Sequence, residues 1–484
     1  MEVLQRTANR GSIATGGYEI DNSLKLEADN TEYLSQTIGA GSRTTATYSF
    51  WFKRTELGAD MQLAGISPIG SETTRFLITS NDVLDVESGV GGDNNSLVTN
   101  RVFRDTSAWY HFVVAIDTTQ ATEANRVKVY VNGVQETSFS ASEYPAQNTD
   151  LTIGVSGYTW RYGAYDNTYN KSSGYLAEAY YIDAQQLDPT SFGEFDEDTG
   201  IWKPIAYTGS FGSNGHYLDF SDASDLGNNS SGVGNDFTLN NITSADQATD
   251  TPTNNFCTFN AIQNYDGKHT YTNGATVFGL NADSGSGNTA LGTIAVTKGK
   301  WYAEFKPTGT TSTSYPHNVF LGVGVMDQVQ LLSTGFLGGK SNSTAQGMGY
   351  YNANGQGYRN AGGFSWGNSY TANDIIGVAL DYRSDGTAHM YVAKNGTWQN
   401  SSDPANNTNP MSMNYGSAFA DGVFLALGAS IYINDGVTIE CNFGGYTPSS
   451  ISSAATDENG YGTFEYAPPS GYYALCTKNL AEYG

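Results

Sequence analysis

The stretch SAWYHFVVAIDTT (107–119), followed by NRVKVYVNGVQETSF (125–139), decides the fold class of this chain. The first segment is a long apolar run that ends in polar turn residues, and in the second apolar and polar residues alternate, as in a half-buried strand. The second run leads into Asn132–Gly133. Asn-Gly between alternating apolar residues is the strongest short signal of a β-hairpin, because both residues tolerate positive φ. The two segments therefore predict antiparallel β-structure.

The same signals recur through most of the chain. Alternation in TTATYSFWFKRT (44–55) and GKWYAEFKP (299–307) indicates strands, and NDIIGVALDYRSDGTAHMYVAKNGTWQN (373–400) contains a hairpin and a second turn at Asn395–Gly396. No amphipathic helix of convincing length is visible in the sequence. We therefore predict an all-β fold of two antiparallel β-sandwich (jelly-roll) domains in tandem, which suits a chain of 484 residues.

Composition and charge limit the classes of partner. The chain has 48 acidic and 23 basic residues, a formal net charge of −25. Nucleic acid and anionic membranes require a basic face, so we expect neither as a partner. No secretory signal and no apolar run of membrane-spanning length is visible, so membrane insertion is not expected. Three cysteines without metal-ligand spacing (Cys257, Cys441 and Cys476) predict buried free thiols.

The first module, residues 21–205, resembles a known family. Its segments ATYSFWFKR, WYHFVVAID, RVKVYVNGVQ, LTIGVSG and GYLAEAYYIDAQQLDPTSF occur in the order found in the laminin-G/pentraxin group of concanavalin A-like sandwiches. In that group a strand that ends in YVNG precedes an IG strand and then a strand with a Glu and a Tyr. The resemblance implies a concanavalin A-like fold but does not identify a ligand.

The second module, residues 266–447, is similar to the SPRY domain, which is also a concanavalin A-like sandwich. The segments GKWYAEFKP, NVFLGVGVMD and NDIIGVALDY, followed by YVAKNG, carry the SPRY pattern. The resemblance implies that ligands bind through surface loops. Both predicted sandwiches are therefore expected to be concanavalin A-like.

The remaining segments resemble tail proteins of tailed bacteriophages. Residues 206–265 are interpreted as an extended connector pinned across the modules, and their phrase GNDFTLNNITSADQATDTPTNNF resembles a connector of such proteins. In the C-terminal tail segment, 448–484, FEYAPPSGYYALCTKNL resembles a signature of the same proteins. Residues 1–20 are interpreted as an attachment segment.

This resemblance implies a function and partners. It suggests a structural virion protein, made in the host cytoplasm, most simply a tail fibre or receptor-binding protein that attaches to a host-surface glycan or protein. Other virion proteins are expected to contact the N-terminus. A homotrimer is expected, because fibres of this kind are usually trimeric and avidity strengthens weak sugar contacts. A head fibre or capsid-decorating protein, and a tailspike polysaccharide depolymerase, remain alternatives.

The sequence predicts no catalytic site. Glycoside hydrolysis requires two carboxylates across a cleft, but Glu178 and Glu304 each stand alone on a predicted strand. Acidic pairs such as Glu194 and Asp196 lie in a loop-like stretch that suits a solvated turn. The histidines lie in unrelated contexts, and no G-x-S-x-G elbow is present. We therefore expect a binding protein rather than an enzyme.

The candidate ligand site is the aromatic segment GYTWRYGAYDNTYNKSSGY (157–175). We interpret it as a glycine-rich, non-periodic loop whose exposed rings form a sugar-stacking platform or a protein interface. Its arginine is expected to pair with an acidic sugar or with the loop's own carboxylates. Packing against the connector or a neighbouring subunit remains the alternative. The candidate ligand-binding residues are Tyr158, Trp160, Arg161, Tyr162, Tyr165, Asp166 and Asn167.

Calcium is the one cofactor that the sequence leaves open. Laminin-G and pentraxin relatives often bind it, and this hard cation prefers carboxylate, amide and carbonyl oxygens. The candidate ligands are Asp93, Asn94 and Asp166. The alternative is that these residues only form turns in exposed loops.

Overall fold

The computed structural model describes residues 17–69, 72–90, 95–166, 168–264, 267–281, 288–309, 319–326, 335–339, 347–415, 423–431 and 436–484. These residues form two compact units, which divide at Asn254/Asn255 and are named the first and the second sandwich. The prediction of an all-β fold with antiparallel sandwiches in tandem is confirmed. Helical structure among the described residues comprises three short 3₁₀ turns and the C-terminal helix α1 (Thr477–Tyr483). No described helix is long and apolar enough to cross a membrane.

The first sandwich is built from two large antiparallel sheets and a small hairpin. Its strands are β1 (Ser23–Leu26), β2 (Tyr33–Thr37), β3 (Thr45–Arg54), β4 (Met61–Ile69), β5 (Glu72–Ile78), β6 (Val83–Gly89), β7 (Ser96–Val102), β8 (Tyr110–Asp117), β9 (Val127–Val131), β10 (Val134–Gln135), β11 (Phe139–Ser142), β12 (Thr159–Tyr162), β13 (Gly174–Asp183), β14 (Gly193–Phe195), β15 (Trp202–Pro204), β16 (His216–Leu218), β17 (Thr238–Asn240) and β18 (Gln247–Ala248). Sheet A has the order β10-β9-β8-β3-β13-β1-β18, with β16 also paired to β13. Sheet B has the order β11-β7-β6-β5-β4-β12-β2-β17. Strands β14 and β15 form the hairpin.

The pattern of residues 107–139 explains the centre of sheet A. Phe112, on β8, faces the core between the sheets, opposite Phe50 of β3, and the alternate valines of β9 join the same core. The hairpin from β9 to β10 turns at Asn132–Gly133, where φ is +49° and +78°. Two consecutive positive φ values are what an Asn-Gly hairpin turn requires, so the sequence signal and the observed turn agree.

Residues 206–254 belong to the first sandwich. This finding differs from the prediction that residues 206–265 form an extended connector across the modules. Three short strands of this segment pair with β13, β2 and β1. Two buried ion pairs reach into this segment. Asp250 Oδ2 lies 2.7 Å from Lys53 Nζ, and Asp246 Oδ1 lies 2.7 Å from Lys25 Nζ. Strand pairing and buried ion pairs therefore bind the segment to one module. Residues 255–264 belong to the second sandwich.

The start of the described chain is also fixed to the first sandwich. The Tyr18 hydroxyl donates to Glu178 Oε2 at 2.9 Å, and Ile20 N donates to Thr253 Oγ1 at 3.0 Å. Glu178 also accepts hydrogen bonds from the hydroxyls of Tyr180 and Tyr217. Burial raises the pKa of this carboxyl, while the tyrosine hydrogen bonds oppose the rise. Of the predicted attachment segment 1–20, residues 1–16 lie outside the described residues.

The second sandwich also has two antiparallel sheets. Its strands are β19 (His269–Thr272), β20 (Val277–Leu280), β21 (Asn288–Leu291), β22 (Gly299–Gly309), β23 (Val319–Val325), β24 (Met348–Tyr351), β25 (Gln356–Arg359), β26 (Gly362–Ser365), β27 (Ile376–Tyr382), β28 (Thr387–Lys394), β29 (Thr397–Trp398), β30 (Met411–Asn414), β31 (Leu425–Ile431), β32 (Val437–Asn442) and β33 (Tyr473–Ala474). Sheet C has the order β19-β20-β32-β22-β27-β28-β29, with β30 paired to β28 and β33 paired in parallel to β22. Sheet D has the order β21-β31-β23-β24-β25-β26.

The predicted tail segment, 448–484, is part of the second sandwich. Phe464 and Tyr472 are fully buried against Tyr302 and Tyr391, whose side chains lie on the face of sheet C opposite the main core. β33 adds to sheet C, and α1 packs its Leu480 into the core. The segment therefore forms a third layer over sheet C, because its aromatic residues cover an otherwise apolar sheet face.

Candidate functional site

Strand β12 carries three of the seven predicted ligand-site residues, and its side chains alternate between the two faces of sheet B. Trp160 is 1% exposed and stacks on Tyr48 at 4.4 Å with an interplanar angle of 8°. Tyr162 is fully buried, and its hydroxyl is 2.8 Å from His216 Nε2. The prediction that Trp160 and Tyr162 form an exposed platform is therefore wrong. Both rings fill the core because β12 is a strand between β2 and β4, which gives it the period of two that places alternate residues inside.

Arg161 lies on the opposite, outward face of sheet B. A row of paired residues crosses this face from Arg161 on β12 to Gly65 on β4, Arg75 on β5 and Glu87 on β6. A Cβ at Gly65 would lie 2.7 Å from Arg75 Cβ and 2.8 Å from the carbonyl oxygen of Thr74. Glycine is therefore required at this point, because Arg75 and the Thr74 carbonyl already occupy the space that a side chain would need.

Two tyrosines flank the arginines. The Arg161 guanidinium is 5.8 Å from the centroid of the Tyr33 ring, and that of Arg75 is 5.3 Å from the centroid of Tyr165. Both distances lie within the range of cation–π attraction. The arginine face is defined here as Tyr33, Gly65, Arg75, Glu87, Arg161 and Tyr165. Its aromatic and cationic side chains are half-buried, so they remain partly accessible from solvent.

Arg75 is held by a carboxylate. Its Nε and Nη2 donate to the two oxygens of Glu87 at 2.7 and 2.6 Å, a bidentate pair. Burial is the largest single influence and acts to lower the pKa of Arg75, but the hydrogen bonds and negative charge of Glu87, together with Tyr165 and Asp85, raise the pKa overall. Arg75 therefore has a fixed position in the arginine face, and Glu87 already balances its charge.

Arg161 differs from Arg75 in its partners. In the part of the chain that the structure describes, no carboxylate lies within ion-pair distance of Arg161, and its Nε is buried without a hydrogen-bond partner. Its Nη1 donates to the Tyr165 carbonyl oxygen over 3.4 Å. A guanidinium has five N–H donors in a planar fork. Arg161 therefore has donors available for a ligand.

The loop after β12 forms the rim of the arginine face. Asp166 Oδ1 accepts from the backbone N of Thr168 at 2.6 Å and of Tyr169 at 2.8 Å, which closes a tight turn. Tyr169 is 63% exposed, the most exposed large apolar side chain among the described residues. Tyr158 is half-buried against the core, and Asn167 lies outside the described residues.

Calcium binding stays a prediction. One oxygen of Asp166 is already engaged in its own turn. Asp93 and Asn94 lie outside the described residues. Within the described ranges no three side chains of the His, Cys, Asp and Glu types are grouped so that they could hold a metal ion.

Sequence reasoning missed Tyr33, Arg75 and Glu87. Alternation within YLSQT (33–37), TTRFLI (73–78) and VLDVESG (83–89) indicates that each of these side chains points away from the core. The sequence does not reveal that β2, β12, β4, β5 and β6 are neighbours in one sheet. The site therefore depends on the strand order of sheet B, which brings Tyr33 and Arg161 together although they are 128 positions apart in the sequence.

Glu304, considered above for hydrolysis, is an anchor for the C-terminal layer. Its two oxygens accept from the backbone N of Glu465 and Tyr466, at 2.9 and 2.8 Å, and from the side chains of Tyr302 and Asn442. Burial raises the pKa of Glu304 to about 7, although all four hydrogen bonds oppose the rise. A carboxylate has about four lone-pair positions. The four donors occupy that acceptor capacity and fix residues 465–466 to sheet C.

Comparisons with known proteins agree with the fold of the first sandwich. Residues 28–169 match the family model described as the Concanavalin A-like lectin/glucanases superfamily. Among solved structures, the chain is similar to a human SPRY domain, with 16% identity, coverage of 34% of this chain and 90% of that chain, and a TM-score of 0.25. It is also similar to a native heptameric SAP-like pentraxin from Limulus polyphemus, with 14% identity, coverage of 40% and 91%, and a TM-score of 0.29. No curated protein matches the chain. Residues 28–169 of the first sandwich are thus similar to the concanavalin A-like lectin/glucanases superfamily.

Proposed function

We propose that this chain is a structural protein of a tailed-bacteriophage virion, a tail fibre or receptor-binding protein, which attaches to a glycan on the host surface through the arginine face. The bacteriophage part of the proposal rests on the resemblance of residues 234–256 and 464–480 to tail proteins. The glycan part rests on the side chains of the first sandwich. Other virion proteins are the expected partners of the N-terminal segment.

The observation that carries the glycan proposal is Arg161 with the Tyr33 ring beside it, on the same face as the Tyr165 ring over Arg75. A guanidinium donates two parallel hydrogen bonds to a carboxylate. A tyrosine offers a flat apolar face and a polar edge, which suits a sugar ring. These features together fit a sugar that stacks on a ring and hydrogen-bonds to the free guanidinium.

The net charge narrows the class of glycan. A chain of net charge −25 repels polyanions at long range. Arg161 nevertheless supplies a local positive charge with no carboxylate partner among the described residues. A polysaccharide with an occasional acidic sugar among neutral ones therefore fits better than a uniformly anionic polymer.

The test of the glycan site is the Arg161→Gln variant on an array of bacterial surface polysaccharides, with neutral and uronic-acid-containing members. Loss of hydrogen bonds from a charged group typically costs about 1.5–3 kcal/mol, so the affinity for the best polysaccharide should fall about tenfold to hundredfold. Arg43→Gln is the matched control, because the Arg43 side chain is 40% exposed and lies off the arginine face. Binding of Arg43→Gln should equal that of the wild type.

The melting temperature of each variant separates binding from folding. Arg161→Gln should unfold at nearly the temperature of the wild type, because a half-exposed polar replacement changes stability little. If the wild-type chain binds a polysaccharide and Arg161→Gln binds it equally well, the arginine face is not the glycan site. If the wild type binds no member of a broad array and no bacterial cells, the glycan proposal itself fails.

The proposed attachment role also predicts a homotrimer. Single sugar sites bind weakly, and three linked copies raise the overall affinity by avidity. Native mass spectrometry of the full chain should give about three times the 51.8 kDa mass of one chain. A stable monomer at micromolar concentration would contradict the predicted trimer. It would not bear on the proposal that the arginine face binds a glycan.

A further inference from the structure

Lys25 lies in a buried cluster with two carboxylates of the first sandwich. Its Nζ is 2.7 Å from Glu32 Oε2, 2.9 Å from Glu32 Oε1 and 2.7 Å from Asp246 Oδ1. The side chains of Lys25, Glu32 and Asp246 are 1%, 3% and 8% exposed. These three residues are defined here as the lysine cluster. One amine in it contacts two acids in a region that solvent barely reaches.

Strand pairing holds the amine of Lys25 beside Asp246. β1 pairs antiparallel with β18, and Leu24 lies opposite Gln247. Continuation of this register places residue 246 opposite Lys25, and the side chains of opposite residues lie on one face of a sheet. The contact therefore follows from the backbone, and it joins β1 to the turn that leads into β18.

The second oxygen of Asp246 is held by the start of the same turn. The backbone N of Thr243 donates to Asp246 Oδ2 at 2.8 Å, and the Thr243 hydroxyl donates to it at 3.2 Å. Donors fixed on a carboxyl oxygen stabilise the negative charge that develops there when a nucleophile attacks the carboxyl carbon. The turn therefore favours attack on Asp246 Cγ.

Glu32 is suited to the transfer of protons. Both of its oxygens lie within hydrogen-bond distance of Lys25 Nζ. Burial raises the pKa of the Glu32 carboxyl, although the charge of Lys25 and the hydrogen bonds from Lys25 and Asn30 oppose the rise. A general acid or base is most effective when its pKa lies near the working pH. The raised pKa brings Glu32 closer to that condition.

We propose that Lys25 and Asp246 form an intramolecular amide bond between Nζ and Cγ, with Glu32 as the proton carrier. A proton first passes from the Lys25 ammonium to the Asp246 carboxylate. The lone pair of Nζ then attacks Cγ and forms the C–N bond. Glu32 takes a proton from Nζ and gives it to the departing oxygen of Asp246, the C–O bond breaks, and one water leaves. Glu32 ends as the carboxylate that it was, and no other reactant is consumed.

The surroundings of the lysine cluster favour the amide. In bulk water the separate ammonium and carboxylate are favoured because both are strongly hydrated, and burial removes most of that hydration. The amide is neutral, so its formation eliminates two buried charges. The folded chain also holds the reacting groups together, which replaces a bimolecular encounter with an intramolecular step.

The bond gives the first sandwich a covalent closure. It connects residue 25 to residue 246, close to the two ends of a unit that divides from the second sandwich at Asn254/Asn255. A force that pulls on both ends of this unit therefore passes through the amide rather than through the strands between them. The inference depends neither on the glycan site nor on the bacteriophage assignment.

Mass spectrometry of the wild-type full chain, intact and after proteolysis under denaturing conditions, tests the bond. The intact mass should be lower by the mass of one water. The peptide map should contain a branched peptide that joins the segment around Lys25 to the segment around Asp246. Linear peptides that carry both residues unmodified would overturn the proposal. So would a loss of water on a linear peptide, which indicates an aspartate cyclised on its own backbone.

The variant Glu32→Gln tests the proton carrier. Glutamine keeps the size of the side chain but cannot take up and release the proton, so the branched peptide should be lost or greatly reduced. Glu136→Gln is the matched control, because Glu136 is also a buried carboxylate of the first sandwich but pairs with Arg101. It should keep the branched peptide in the wild-type proportion. A folded Glu32→Gln chain with the wild-type proportion would overturn the role of Glu32, and the wild-type map decides the bond itself whether or not the variant folds.

Discussion

Replacing Trp160 with alanine should lower the free energy of unfolding of the first sandwich by about 3–5 kcal/mol, as for other buried large aromatics. The Trp160 ring is 1% exposed, stacks on Tyr48 and meets Phe76 and Tyr162 edge-on at 6.0 Å each. Its removal leaves a cavity between the sheets that the surrounding rings cannot fully close. Calorimetry of the full chain measures the effect on the transition of the first sandwich.

Tyr169→Ala is the matched control, since it removes an exposed aromatic ring from the same segment of the chain. Its effect on stability should stay within about 0.5 kcal/mol. If Trp160→Ala melts like the wild type and loses binding to bacterial cells, the ring is a ligand-stacking surface after all and its burial in the core is contradicted.

Replacing Asp250 with alanine should also cost about 3–5 kcal/mol, the range measured when one partner of a buried ion pair is removed. Lys53 is 0% exposed, and its Nζ lies 2.7 Å from Asp250 Oδ2, while Oδ1 accepts from Trp109 Nε1. The variant leaves the Lys53 ammonium inside the protein without this carboxylate. It should also loosen residues 243–254, which limited proteolysis will show as a new cleavage region.

Two controls make the ion-pair result specific. Asp150→Ala breaks the exposed pair with Arg43, whose closest atoms are 3.7 Å apart, and should cost no more than about 1 kcal/mol. The double variant Lys53→Met/Asp250→Leu removes both charges and should recover much of the lost stability, because no uncompensated charge remains. Equal costs for Asp250→Ala and Asp150→Ala would contradict the burial of the Lys53–Asp250 ion pair.

Local sequence patterns were sufficient to predict the fold class. The alternation in β9 and the turns at Asn132–Gly133 and Asn395–Gly396 are properties of adjacent residues, and both turns have positive φ in the structure. Such short-range signals determine whether a segment is a strand and where it turns. They therefore predicted both sandwiches without information about distant contacts.

The positions of the aromatic segment and of residues 206–254 could not be predicted in this way. β12 has four residues and is bounded by Gly157 and Gly163, both at φ +89°, so its alternation is too short to separate from a glycine-rich loop. The partner of Asp250 lies 197 positions away in the sequence. Contacts over such separations follow from strand order, which local patterns do not encode. For the same reason Arg161 was among the candidate ligand-binding residues predicted from the sequence, whereas Tyr33 and Arg75 near it on the sheet were not.

A crystal structure of the full chain with the tightest-binding polysaccharide fragment from the array tests the central claim most directly. The account predicts a sugar oxygen about 2.7–3.2 Å from a nitrogen of Arg161, with a sugar ring against Tyr33, Tyr165 or Tyr169. A fragment bound elsewhere, for example on residues 352–366 of the second sandwich with Arg161 unoccupied, would contradict it.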